Sequence, residues 1–74
     1  MSGPGAVGRN VARLRVQRGL TQAELAERAG VAQATISHLE IGARTDAKGR
    51  VIVALAGALG VTTDALLRDD AERG

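Results

Sequence analysis

The stretch "LAERAGVAQATISHLE", residues 25–40, decides how this chain folds. Apolar residues recur at helical spacing on both sides of Gly30, with Leu25, Ala26 and Ala29 before it and Ile36 and Leu39 after it. Gly30 takes a left-handed conformation that strains other residues, so it stops one helix and lets another begin almost at once. Two short helices joined by a tight glycine turn form a helix-turn-helix, whose second helix can enter the major groove of duplex DNA. Leu25, Ala29, Val31, Ile36 and Leu39 supply the shared core, and small Ala26 permits the helices to cross closely. On a helical wheel Gln33, Ala34, Ser37, His38 and Ile41 fall opposite Ile36 and Leu39, on a face with no core to cover.

Just before this stretch, Thr21 opens "TQAE", a capping box with Glu24 at the third helical position, and Leu20 staples to Leu25. Helix 2 is thus expected to run to about Ala29. Helix 3 is expected over Gln33–Ile41, closed by Gly42. Further upstream, Val7, Val11 and Leu14 mark one face of helix 1, which Gly19 ends. Downstream, Asp46 is the expected cap of helix 4, where Val51, Ile52, Leu55, Ala56 and Leu59 form a broad apolar surface before Gly60. Thr62 caps helix 5, which holds Leu66 and Leu67. No repeat, strand signal or long linker interrupts this order. The expected organisation is a flexible start over 1–5, one all-α five-helix domain over 6–68 and a frayed tail, "DDAERG", over 69–74.

Seventy-four residues make one small domain, in which roughly 60% of the unfolded surface is buried on folding. With no Cys there is neither a disulfide nor a thiolate site to reinforce so modest a core. The 45% hydrophobic content contains no aromatic residue, which suits small helices packed closely. Net charge is only +2, but residues 1–18 carry Arg9, Arg13, Arg15 and Arg18 without an acid, and a second basic group of Arg44, Lys48 and Arg50 surrounds only Asp46. Two basic groups suit a polyanion as well as plain solvation. The absence of aromatic platforms argues against single-stranded nucleic acid.

Other chemistries are poorly supported. "GPGAVG", residues 3–8, formally fits G-x-G-x-x-G, but no strand precedes it. His38 beside Ser37 lacks an acid placed to orient it, and one His without Cys builds no ordinary zinc site. No enzyme activity, metal or cofactor is expected. The N-terminus lacks the basic and apolar regions of an export signal, and "VIVALAGALGV", residues 51–61, is too short to span a bilayer. A cytoplasmic protein without membrane contact is therefore expected.

"RLRVQRGLTQAELAERAGVAQATISHLEIG", residues 13–42, resembles the phage repressor and Cro type of helix-turn-helix regulators, the xenobiotic-response-element family. "LAGALGVTTDALL", residues 55–67, is similar to that family's last two helices. The resemblance implies a lambda-repressor-like fold and a bacterial or phage transcription regulator, read as a repressor, acting on double-stranded DNA in the nucleoid. It makes Gln33, Ala34, Ser37 and His38 the base-reading set; Gln33 suits bidentate contact with adenine and Ala34 contact with a thymine methyl. It places Gln22 on a phosphate at the start of helix 2, and Arg44 in the loop that grips the backbone. Thr35, Lys48 and Arg50 join the phosphate contacts, though the comparison does not align Lys48 and Arg50. Arg15 and Glu40 match the family's structural ion pair.

Three positions depart from that pattern. Ala32 stands where the family favours a Ser or Thr cap, a loss of about 1 kcal/mol, so helix 3 is expected to be marginal until DNA is bound. Ile41 replaces a residue that is usually polar. "TDAKGR", residues 45–50, lacks the common Pro and is longer by about one residue. Because a single short recognition helix reads too few base pairs to select a genomic site, a homodimer on a palindromic operator is expected, joined through helix 5, the tail or helix 4. A second reading stays open: a helix-turn-helix used as a protein-interaction module, such as an antitoxin or regulatory partner.

Overall fold

A computed structural model describes residues 5–42 and 49–68. Among the described residues it contains five helices and no strand: α1 (Gly5–Gln17), α2 (Gln22–Ala29), α3 (Gln33–Glu40), α4 (Gly49–Leu59) and α5 (Thr63–Leu67). Helix α3 stops one residue earlier than the sequence suggests, because Ile41 has relaxed to φ −87°, ψ −1° and Gly42 then turns left-handed at φ 81°. The expected Asp46 cap and the 69–74 tail lie outside the described residues.

Local chemistry accounts for the ends of the helices. The Thr21 hydroxyl accepts the Glu24 amide at 3.0 Å and the Glu24 carboxylate accepts the Thr21 amide at 2.8 Å, closing the capping box. Those bonds to Thr21 hold the Glu24 carboxyl below its ordinary range. Thr62 likewise accepts the Ala65 amide at 3.2 Å. Between α2 and α3, Gly30 adopts φ 71°, ψ 32°, and the Val31 amide reaches back to the Ala26 carbonyl at 3.1 Å, which turns the chain sharply without orphaning the carbonyl.

The core gathers one face from each helix. Val7, Val11 and Leu14 of α1 meet Leu25 and Ala26 of α2, Ile36 and Leu39 of α3, Leu55, Ala56 and Leu59 of α4, and Leu66 of α5. Ala29, Val31, Val51 and Ile52 pack against its rim. Leu67 stays 47% exposed, because a helix of one turn and a half has room for one inward leucine. Helix α1 packs on α3 and α5, and α2 packs on α3 and α4, so α3 is braced from two sides while its outer face is left open.

Two residues that the apolar pattern does not flag fix how α1 sits. Asn10 is buried at 2% exposure, and its side-chain amide donates to the carbonyls of Leu66 at 2.7 Å and Arg68 at 2.6 Å. Its carbonyl oxygen accepts Arg13 Nη2 at 3.1 Å. Asn10 therefore ties the end of α5 to α1 and satisfies carbonyls that a helix C-terminus leaves orphaned. Gly8 is the point where α1 touches the backbone of α3: a Cβ there would overlap the Leu39 carbonyl.

That contact reverses the usual sign of a glycine substitution. Gly57, exposed on α4 with open space where a Cβ would stand, should follow helix propensity, and Gly57→Ala should stabilise by about 0.5–1 kcal/mol. Gly8→Ala should instead destabilise by about 1–3 kcal/mol as α1 is pushed off α3. Urea unfolding of both variants checks this; a stabilising Gly8→Ala would refute the close approach.

Candidate nucleic-acid interface

Helix α3 presents two faces of opposite character. Ile36 and Leu39 are 0% and 2% exposed and anchor it to the core. On the other side Gln33, Ala34 and His38 are exposed or half-buried, as are Thr35 and Ser37. Ile41, just past the helix, continues that outer face at 71% exposure. The expected base-reading residues thus share one open surface, ordered from Gln33 in the first turn to His38 in the last.

The α3 N-terminus lacks a side-chain cap, because Ala32 has no hydroxyl or carboxylate to offer. Only a tight bond from the Thr35 amide to the Ala32 carbonyl, at 3.0 Å, closes the first turn. Thr35 and Arg50 line one shallow depression with the glycine turn, which places these two expected phosphate contacts beside each other at that end of α3. Arg44 and Lys48, the other expected cationic contacts, lie outside the described residues.

The other end of α3 is tied down by charge. Arg15 of α1 meets Glu40 with two parallel hydrogen bonds, Nε to Oε2 at 2.8 Å and Nη2 to Oε1 at 3.0 Å. The same guanidinium donates from Nη1 to the Leu20 carbonyl at 2.8 Å, and Gln22 Nε2 donates to Glu40 Oε1 at 3.0 Å. The expected pair is therefore present, and Gln22, expected on phosphate, is also one of its partners. The Gln22 contact is not visible in any local pattern, because 18 residues separate the partners. The side chains of Arg15 and Glu40 keep only 18% and 7% exposure. Burial pushes the Glu40 carboxyl up, but hydrogen bonds from Arg15 and Gln22 together with the Arg15 charge outweigh it and leave the carboxyl below its ordinary value. The bond to Glu40 raises Arg15, against a smaller lowering by burial.

The chain's relatives fit this geometry. A family model described as helix-turn-helix matches residues 11–66. No curated protein gives a significant match. Among solved structures, the N-terminal DNA-binding domain of SinR from Bacillus subtilis is similar with a TM-score of 0.84 and 28% identity, covering 86% of this chain and 93% of that one. The P22 c2 repressor in complex with a synthetic operator is similar with a TM-score of 0.77 and 30% identity, covering 86% and 96%. A complex of SinR with SinI is similar with a TM-score of 0.84 and 28% identity, covering 92% of this chain and 66% of the matched one.

Two measurements probe the ends of α3. Supplying the missing cap through Ala32→Ser should raise stability by about 0.5–1.5 kcal/mol, read by urea unfolding, and no gain would mean that the first turn is not limited by its cap. At the other end, Glu40→Ala leaves Arg15 uncompensated and should cost about 2–3 kcal/mol at pH 7, since Arg15 retains some access to water. Glu40 is depressed in the folded state, so its stabilisation is complete above the ordinary carboxylate range and is lost as pH falls through the lower folded value. The stability gap between wild type and Glu40→Gln should therefore narrow below about pH 4; a gap independent of pH would dismiss the ionic account.

Proposed function

Since this chain belongs to the helix-turn-helix family and is a DNA-binding transcription regulator, we propose that it recognises specific duplex sequences by inserting α3 into the major groove. The observation that carries this reading is the outer face of α3, which covers no core while Ile36, Leu39 and Glu40 anchor the helix from the other side. Gln33, Ala34, Ser37 and His38 read base edges, with Gln33 reaching deepest from the first turn. Gln22, Thr35, Arg44, Lys48 and Arg50 grip phosphates, and Arg15 with Glu40 supplies architecture. The protein works by binding and not by catalysis, needs no cofactor, and acts as a repressor in the cytoplasm, on the nucleoid of a bacterial cell.

A homodimer on a palindromic operator fits this reading, since two half-sites about 34–36 Å apart give the selectivity that one short helix lacks. The similarity to the P22 c2 repressor in complex with a synthetic operator supports the duplex-DNA part of this reading. A second reading, a surface for another protein, is favoured by the 71% exposure of Ile41 and by the similarity to SinR in a complex with SinI. The two are separated by measuring DNA affinity directly.

Specific and random duplexes titrated across a salt series test the division of labour. Gln33→Ala should cost about 1–3 kcal/mol on the specific site and little on random DNA. Arg44→Ala should weaken binding to every sequence and lower the salt dependence by about one counterion per subunit. A Gln33 variant with intact sequence preference would remove α3 as the reader, and if neither substitution affects DNA binding the protein-interaction reading takes over.

A further inference from the structure

Resting on the DNA-binding reading above, we propose that Glu40 is a positioning residue for backbone contact: it holds the Gln22 amide so that one N–H points at the carboxylate and the other is available to a phosphate oxygen. The inference goes beyond the ion pair, because it gives the buried carboxylate a part in binding as well as in folding.

A glutamine amide has two ends of similar shape and opposite polarity, and its last torsion is soft. Left alone, Gln22 would present its oxygen to an approaching phosphate as readily as its nitrogen, and an oxygen facing a phosphate repels. Glu40 removes that ambiguity. An ionised carboxylate accepts hydrogen bonds only, so the Gln22 nitrogen must face it, as the 3.0 Å bond from Nε2 to Oε1 records. The carboxylate cannot swing away to release the amide, because Arg15 clamps both of its oxygens at 2.8 and 3.0 Å. The Arg15 charge also offsets that of Glu40, so a phosphate nearby is not turned away.

The location is suited to the task. Gln22 is the first residue of α2, and the earliest intrahelical bond there runs from the Leu25 amide to the Thr21 carbonyl, so the backbone amides of Gln22 and Ala23 precede it. A phosphate seated at this helix end would meet amides of the backbone and the oriented Gln22 side chain together. Gln22 is already half-buried and held before DNA arrives, so much of its rotamer freedom is surrendered during folding and not on binding.

The test is a double-mutant cycle in affinity for a short mixed-sequence duplex, measured well below the melting temperature of every variant. Gln22→Ala should weaken binding roughly tenfold, the scale of one hydrogen bond to a charged group. Glu40→Ala should weaken it by a similar factor, and adding Gln22→Ala to Glu40→Ala should cost little more. If the two losses multiply, Glu40 acts on binding independently of Gln22, and if Glu40→Ala binds as tightly as wild type it acts through stability alone; either result overturns the inference, while DNA binding stands. If the wild-type protein binds no duplex, the reading on which the inference rests falls first. Should Glu40→Ala fail to fold, NMR of the wild-type protein decides: one Gln22 side-chain proton protected from exchange supports the arrangement, and two protons exchanging alike overturn it.

Discussion

The structure depends on one guanidinium meeting one carboxylate. Arg15 spends three donors, two on Glu40 and one on the Leu20 carbonyl, and Glu40 accepts Gln22 as well. Four parts of the chain converge there: α1, the turn that follows it, the start of α2 and the end of α3. A charge pair this buried is weak evidence for added stability over an apolar replacement, since desolvation offsets much of the attraction. Its value lies in direction. Apolar contacts hold helices together at many angles, whereas a planar fork on a carboxylate accepts one geometry, and that geometry sets the orientation of α3.

Around this constraint the apolar core of the described residues is built from Leu, Val, Ile and Ala. Without aromatic side chains to fill space, the helices must approach closely, and the sequence provides for it with Gly8 against the Leu39 carbonyl and small Ala26 buried in the core. Asn10 completes the frame by satisfying carbonyls at the end of α5. Close packing of small residues leaves little slack, so a methyl group added at such a contact is felt by the helix on its other side.

Helix α3 shows what that frame is for. Its far end is fixed by charge, its inner face by Ile36 and Leu39, and its first turn is left without a side-chain cap. The residues proposed to read DNA are thus carried on a helix whose orientation is set elsewhere, so Gln33, Ala34 and His38 can vary without disturbing the core. Ile41 stands apart: an apolar side chain in solvent at the edge of the recognition surface suits a contact with another protein at least as well as one with DNA.

The sequence alone determined the five helices, the turn and the inner and outer faces of α3, because those follow from local rules: the 3.6-residue period, the Thr21 capping box, the conformational freedom of Gly30 and the missing cap at Ala32. The Arg15–Glu40 pair was also legible, though through a family resemblance and not through spacing. Tertiary structure alone decided the rest. Asn10 reads as a polar flaw in the apolar stripe of Val7, Val11 and Leu14 until the carbonyls of Leu66 and Arg68 are brought to it, and Gly8 reads as a weak helix former until Leu39 lies against it. Gln22 reads, through the family resemblance, as a phosphate contact, and its bond to Glu40 exists only once the end of α3 is brought to it. A contact between residues far apart in the chain leaves no period in the sequence; it exists only once packing has chosen the angles between helices, and that choice belongs to the fold as a whole.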